Sequence, residues 1–263
     1  MPRQSLDHHH HRPHRAPRNF QAGVLLAVLA VALLLTACGT TQPSPQTGSG
    51  ATFVSNSSQR SFTYVAIGAS DAFGVGTYDP DRDNWPTALA GLLGPDAHLV
   101  NLGIPGETVA EARQTELPVA LDAHPALVTV WLGVNDIVQS VPVATYEQQL
   151  EALLLALHQH TSAHVFVGNI PDLSLLPFFA GQDQAALHAT IVRWNAAIAQ
   201  AVTASDASLV DLYATWNELA SHPEYIADDG FHPSTVGAQR LAEVFQSFIA
   251  PSLPALRAAV GTP

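Results

Sequence analysis

Short apolar runs alternate with longer helical patterns from residue 62 onward. Five runs are almost continuously apolar and are bounded by turn residues, which predicts buried strands at residues 62–68, 97–102, 126–132, 163–170 and 208–212. Helices are predicted at residues 85–93, 108–121, 145–160, 184–205 and 234–249. Strands without an alternating polar face are typical of parallel sheets that are covered on both sides. The pattern therefore predicts an α/β fold of three layers, α/β/α, around a five-stranded, mostly parallel sheet.

The first 37 residues lack this alternation. Four arginines precede an uncharged run of mostly Leu, Val and Ala at residues 22–37, which is shorter than the roughly 20 residues of a membrane-spanning helix. A basic start, an apolar middle and small residues at the end are typical of a secretory signal. The ending, Leu35-Thr36-Ala37-Cys38, resembles a bacterial lipoprotein signal. This resemblance implies that residues 1–37 are removed and that a lipid such as palmitate on Cys38 anchors the exported domain to a membrane of the cell envelope. The alternatives are a plain signal peptide or a short anchor helix, with Cys38 incidental.

The composition of the remaining chain limits its organisation and its partners. Residues 38–60 have the Gly, Ser, Thr, Pro, Gln and Asn content of a flexible linker, and residues 61–263 are long enough for one domain. The chain has one cysteine, so an intramolecular disulfide is excluded. Its ten basic residues are all arginine and face 22 acids, and the resulting net charge of −12 argues against a nucleic-acid partner.

Polar and Gly-rich residues collect at the carboxyl ends of the predicted strands, where sites form in such sheets. Ser70 follows the first strand, Gly106 the second and Asn135 the third, whereas Asp229 and His232 follow the fifth strand after a short helix and loop. A serine, a histidine that takes its proton and a carboxylate that orients the histidine are the parts that activate a hydroxyl for attack. Backbone N–H groups and an Asn amide can hold the oxyanion that forms. Each residue alone has a structural alternative as a helix cap, a βα turn or a surface loop.

Together four motifs resemble the blocks of the SGNH (GDSL) hydrolase family, in order and over residues 63–248: Gly68-Ala69-Ser70-Asp71, Gly106-Glu107-Thr108, Gly133-Val134-Asn135-Asp136 and Asp229-Gly230-Phe231-His232. The resemblance implies a flavodoxin-like SGNH hydrolase fold and a carboxylic ester hydrolase that forms an acyl-enzyme on Ser70. It implies that Asp229 and His232 complete the catalytic set, that the oxyanion is held by Ser70, Gly106 and Asn135, and that no metal or organic cofactor takes part. The first motif departs from the usual Gly-Asp-Ser-Leu at two positions, which leaves the substrate open.

Residues 171–181, after the fourth strand, combine apolar side chains with loop signals. We expect an acyl pocket or a lid formed by Leu175, Leu176, Phe178 and Phe179, with a loop packed on the core as the alternative. The predicted substrate is a small-molecule or lipid ester. A carbohydrate O-deacetylase, or a thioesterase or lysophospholipase of the same family, is the alternative activity.

Two other classes are less consistent with the sequence. A tethered binding module that has lost catalysis would not need the complete set of catalytic residues. A nucleotide-binding protein of the same topology is disfavoured because the first loop has neither G-x-G-x-x-G spacing nor a P-loop lysine.

Overall fold

The structure, a computed structural model, describes residues 61–215 and 217–259. The predicted signal peptide, Cys38 and the linker lie outside these residues. The described part contains a five-stranded sheet of β1 (Phe62–Gly68), β2 (Ala97–Asn101), β3 (Leu127–Trp131), β4 (His164–Gly168) and β5 (Ser208–Val210). The strands lie in the order β2-β1-β3-β4-β5, and every neighbouring pair is parallel. The predicted sheet is confirmed, although all strands after the first are shorter than predicted.

Ten α-helices are found among the described residues: α1 (Ser70–Phe73), α2 (Pro80–Asp83), α3 (Trp85–Leu93), α4 (Val109–Asp122), α5 (Val134–Val138), α6 (Val143–His160), α7 (Gln184–Ala204), α8 (Leu212–Thr215), α9 (Thr235–Ile249) and α10 (Leu253–Ala259). The five long helices agree with the prediction to within two residues at each end. The sequence does not predict the short helices α2, α5 and α10. None of the helices in this part of the chain has the length and apolar character needed to cross a membrane.

Aromatic side chains join the helices to the two faces of the sheet. On one face Trp85 of α3 stacks on Phe245 of α9, with ring centroids 4.5 Å apart, and meets Trp131 edge-on at 6.2 Å. On the other face Tyr146 of α6 lies 4.5 Å from Trp194 of α7. All five rings are buried, and each aromatic side chain that is removed from water contributes some 150–250 Å² of contact surface. Because Trp131 is the last residue of β3, this core extends to the carboxyl edge of the sheet.

The strand order places a crevice at that edge. β1 lies between β2 and β3, so the chain leaves β1 in one direction for β2 and later returns to its other side as β3. Loops diverge at such a switch point, and ligands bind between them. Gly68 at the end of β1 is paired with Trp131 at the end of β3, and the two following segments therefore emerge side by side. These segments carry Ser70 and Asn135.

Candidate active site

Ser70 lies in a tight turn between β1 and α1. The strand ends at Gly68, and Ser70 is the first residue of the four-residue helix. The turn packs closely because Gly68 and Gly103 have no side chains: a Cβ at either position would lie 2.7 Å from the Cβ of Ala72. The first N–H groups of a helix have no partner within it, so the backbone N–H of Ser70 is available to an oxyanion bound beside its hydroxyl.

Residues 227–232 form the loop that carries His232. The residues on either side of this loop pair with each other. Ile226 and Pro233 form an antiparallel bridge across it. Behind the bridge, Gly237 in the first turn of α9 packs on the backbone of Tyr225. A Cβ on this glycine would lie 1.9 Å from the carbonyl oxygen of Tyr225, so no other residue fits without displacing the chain. The loop is thus held against a helix whose apolar face lies in the core.

Ser70, His232 and Asp229 form a continuous hydrogen-bonded chain. His232 Nε2 lies 2.9 Å from Ser70 Oγ, and His232 Nδ1 lies 2.6 Å from Asp229 Oδ2. Asp229 Oδ1 accepts the backbone N–H groups of Phe231 and His232 at 2.9 and 3.0 Å, which leaves Oδ2 to face the imidazole. A carboxylate opposite Nδ1 keeps the proton on that nitrogen, so that Nε2 can accept the proton of the Ser70 hydroxyl.

Asp229 remains ionised in this arrangement. Partial burial raises the pKa of its carboxyl, but hydrogen bonds from the His232 ring and from two backbone N–H groups outweigh this and bring the pKa below its ordinary value. The side chain is 44% exposed, compared with 16% for His232. The neighbouring Asp228 is exposed, and among the described residues the carboxylate on His232 is that of Asp229.

Gly106 and Asn135 lie in the segments that follow β2 and β3, and Asn135 lines the same cavity as Ser70. Gly106 occupies the third position of a turn in which the Glu107 N–H donates to the Ile104 carbonyl at 3.3 Å. A glycine at φ +87° there, after a proline, has the geometry of a type II turn. The Asn135 side-chain amide donates to the Glu107 carbonyl at 2.9 Å, which ties the two loops together. Since an amide nitrogen carries two hydrogens, Asn135 keeps a second donor for an oxyanion.

Buried acids lie beneath the turns that follow β1 and β2. One of them, Glu116, is not part of any of the sequence motifs. Glu116 of α4 is 1% exposed and accepts the Gly68 N–H at 3.0 Å. Burial raises the pKa of Glu116 to about 9; the Gly68 N–H lowers it, and neighbouring Glu107 raises it further through a hydrogen bond and through its charge. The Glu116 Oε1 atom is buried and has no hydrogen-bond partner among the described residues. Glu116 therefore joins the end of β1 to the turn after β2.

Two small cavities adjoin at Ser70. The first, of about 10 Å³, and the second, of about 30 Å³, share four lining residues, namely Asp71, Trp131, Val134 and Phe231. The first is otherwise lined by Ala69, Ser70, Leu132, Gly133 and Asn135. The second is otherwise apolar and is lined by Pro171, Leu173, Leu176, Leu219, Ile226 and Pro233. An apolar chamber thus lies next to the cavity at the serine.

The four residues expected to form the acyl pocket have different positions. Leu176 lines the apolar chamber, but Leu175, Phe178 and Phe179 line neither cavity. The two phenylalanines instead lie against the ring of Phe231, with centroid distances of 5.3 and 5.9 Å, and the Phe178 N–H donates to the Gly230 carbonyl at 3.0 Å. Much of residues 171–181 therefore packs behind the histidine loop.

Other cavity residues are missed by the sequence motifs. Trp131 is the last residue of a predicted strand, and Phe231 lies within the Asp-His motif, so both could have been placed near the site from their position. Asp71 directly follows the serine, where the sequence pattern indicates only the start of a helix. Leu219 and Ile226 belong to a stretch without regular periodicity, and no signal in the sequence indicates their contact with the chamber.

The chain is similar to several known hydrolases. Residues 66–240 match the model of the GDSL-like lipase/acylhydrolase family. The chain is 26% identical over 156 residues to an acetylxylan esterase of Geobacillus stearothermophilus, a match that covers 56% of this chain and 69% of that protein. The crystal structure of Axe2, an acetylxylan esterase from the same organism, superposes with a TM-score of 0.60 at 22% identity and covers 73% of this chain and 95% of that chain. LAE5, an α/β hydrolase from the metagenome of Lake Arreo, superposes with a TM-score of 0.61 at 19% identity and covers 73% and 96%.

Proposed function

The chain belongs to the GDSL-like lipase/acylhydrolase family and is a serine ester hydrolase, and we propose that it removes acetyl and similarly short acyl groups from its substrates. The observation that carries this proposal is the size of the two cavities beside Ser70. A cavity of about 10–15 Å³ holds a single water molecule. The space next to the hydroxyl therefore admits one group of that size, and the apolar chamber admits two or three more.

In the proposed mechanism His232 takes the proton of the Ser70 hydroxyl as its oxygen attacks the ester carbonyl. The negative charge that develops on the carbonyl oxygen is met by the N–H groups of Ser70 and Gly106 and by the Asn135 amide. His232 then gives its proton to the departing alcohol, which leaves an acyl-enzyme on Ser70. A water molecule activated by His232 releases the acid, and Asp229 stabilises the imidazolium in both steps.

Carbohydrate acetyl groups are the substrates that the comparisons favour. The acetylxylan esterases of Geobacillus stearothermophilus match most of the folded part of this chain, and an acetyl group fits the first cavity. The expectation from the sequence that Leu and Phe residues form a longer acyl pocket has less support, because three of those four residues lie elsewhere. Long acyl chains are therefore the competing possibility for the test.

A panel of 4-nitrophenyl esters from acetate to palmitate tests the proposal, with acetylated xylan as a parallel substrate. We expect kcat/KM to fall at least tenfold between butyrate and octanoate, and Ser70→Ala to abolish turnover of every ester. Leu176→Ala should extend activity toward longer chains because it enlarges the apolar chamber, whereas Leu175→Ala makes the same change next to it and serves as the control. A preference of the wild type for octanoate or palmitate would contradict the proposal.

We also propose that the enzyme is exported and held at the cell envelope by a lipid on Cys38. Support comes from the order of features before the folded part: arginines, an apolar run, small residues and the single cysteine. Labelling with radioactive palmitate in a bacterial host should mark the wild-type chain and leave Cys38→Ser unlabelled. Equal labelling of both chains, or export of an unlabelled wild type, would refute the anchor.

A further inference from the structure

Asp71 lines both the cavity beside Ser70 and the apolar chamber, as do Trp131, Val134 and Phe231. It is the one ionisable residue among these four. Because Asp71 directly follows Ser70 in the chain, an acyl group held on that serine lies close to this acid.

The protein provides little to stabilise this carboxylate. No other residue of the described chain donates a hydrogen bond to it, and its only such contact is to its own backbone N–H. Asp71 is only partly buried, and this burial raises its pKa to about 6; the charge of His232 and the backbone N–H of Asp71 lower the pKa, and the charge of Asp229 raises it. Partly burying a carboxylate with only its own backbone N–H as a donor costs free energy, and an apolar residue would line the same cavities without that cost. The arrangement is explained if the missing donor belongs to the substrate.

We propose that, among short acyl groups larger than acetyl, Asp71 favours those that carry a hydrogen-bond donor on the carbon next to the ester carbonyl, either a hydroxyl or an ammonium group. This inference rests on the proposed hydrolysis of short acyl esters and adds the chemistry of the acyl group. The cavity beside Ser70 has room for the carbon next to the carbonyl, the apolar chamber has room for its substituent, and Asp71 lines both. An ammonium group would also be favoured by the faces of the neighbouring aromatic rings.

Three esters of the same alcohol separate the effect of a hydrogen-bond donor on kcat/KM from the effect of acyl size: ethyl propionate, ethyl glycolate and glycine ethyl ester. Their acyl groups have nearly the same size and differ in ending with a methyl, a hydroxyl or an ammonium group. The kcat/KM of each is measured in a pH-stat for the wild type, Asp71→Leu and Asp71→Asn, and the effect of a substitution is compared within one substrate so that intrinsic reactivity cancels.

We expect Asp71→Leu to lower kcat/KM about tenfold or more for glycolate and glycine esters, which is what one hydrogen bond to a charged group contributes. The same substitution should raise kcat/KM for propionate, since an unpaired carboxylate no longer lies against the methyl group. Asp71→Asn keeps an acceptor oxygen but no charge, so it should retain more activity on glycolate than on glycine ester. If only one donor-bearing ester responds, that result identifies whether the hydroxyl or the ammonium group is recognised.

Equal effects of Asp71→Leu on all three esters would overturn the proposal, because Asp71 would then act through the charge on His232 or through the fold. Titration of the variants with a serine-directed fluorophosphonate counts the sites that are correctly assembled, and Asp71→Asn, which has the same shape, covers the case in which the leucine variant does not fold. Failure of the proposed function looks different: the wild type would then hydrolyse neither 4-nitrophenyl acetate nor any of the three esters.

Discussion

Replacing Asp229 by Asn tests whether the carboxylate acts on the tautomer of His232. Two backbone N–H groups hold Asp229 Oδ1 at 2.9 and 3.0 Å, and an Asn side chain would keep its oxygen in that position. Its NH₂ group would then face His232 Nδ1 across the 2.6 Å contact that Oδ2 makes now. Two donors cannot share this contact, so the imidazole would be forced to carry its proton on Nε2. That proton would point at Ser70 Oγ, and the histidine could no longer accept the serine proton.

The expected loss follows from the same geometry. In a Ser-His-Asp protease this substitution lowers kcat about 10⁴-fold without moving the residues. The side chain of Asp229 is 44% exposed, so water can partly reorganise around the Asn variant, and we expect a loss of roughly 10³–10⁴-fold. Such a loss raises the activation free energy by about 4–5.5 kcal/mol.

The measurement is kcat on 4-nitrophenyl acetate at pH 7.5 for the wild type, Asp229→Asn and Asp228→Asn. Asp228→Asn makes the same chemical change at an exposed neighbouring residue and should stay within about twofold of the wild type. Circular dichroism and thermal unfolding show whether each variant is folded. The reasoning is refuted if folded Asp229→Asn keeps more than a tenth of the wild-type kcat, or if the two variants lose activity to the same extent.

Three further predictions concern the donors, the buried acid and the loop base. Asn135→Ala should lower kcat by about 10²–10³ with little change in KM, because it removes an oxyanion donor; an effect on KM alone would contradict this role. Glu116 has its pKa raised from 4.5 to about 9, so the stability that it contributes is complete below pH 4.5 and is lost as the pH rises toward 9, by up to about 1.4 kcal/mol per pH unit. Glu116→Gln should flatten this decline in urea unfolding between pH 6 and 9, and parallel curves for the two proteins would exclude it. Gly237→Ala should reduce both thermal stability and kcat, since its Cβ would meet the Tyr225 carbonyl and displace the histidine loop; an unchanged kcat would show that the loop tolerates the shift.

The sequence predicts the sheet and its edge well because both depend on local patterns. Near-continuous apolar runs of this short length, bounded by turn residues, favour buried strands, and their order along the chain limits the topology. The carboxyl end of each strand can then be located without knowledge of the packing. Ser70, Gly106 and Asn135 could be assigned to one edge for this reason, and Asp229 and His232 could be added from their spacing.

The acyl pocket is harder to predict because its walls come from distant parts of the chain. Leu176, Leu219 and Ile226 meet in the chamber only through the fold, and no periodicity marks them. Phe178 illustrates the converse error. A large apolar residue after a strand suggests a pocket, but its ring packs on Phe231 and stays 58% exposed. The hydrophobicity of a loop thus indicates that it packs against something, and the partner is set by tertiary contacts.

The two departures from Gly-Asp-Ser-Leu have different consequences in this structure. Ala69 is 6% exposed and lines the first cavity, so a carboxylate at that position would lie before the serine. Asp71 lies after the serine, where the usual leucine would extend the apolar surface formed by Trp131 and Phe231. Together the exchanges remove an acid from the position before the nucleophile and place one directly after it, where it lines both cavities. Since Ser70, His232 and Asp229 keep their hydrogen bonds, the change affects which acyl group is accepted and leaves the attacking groups intact.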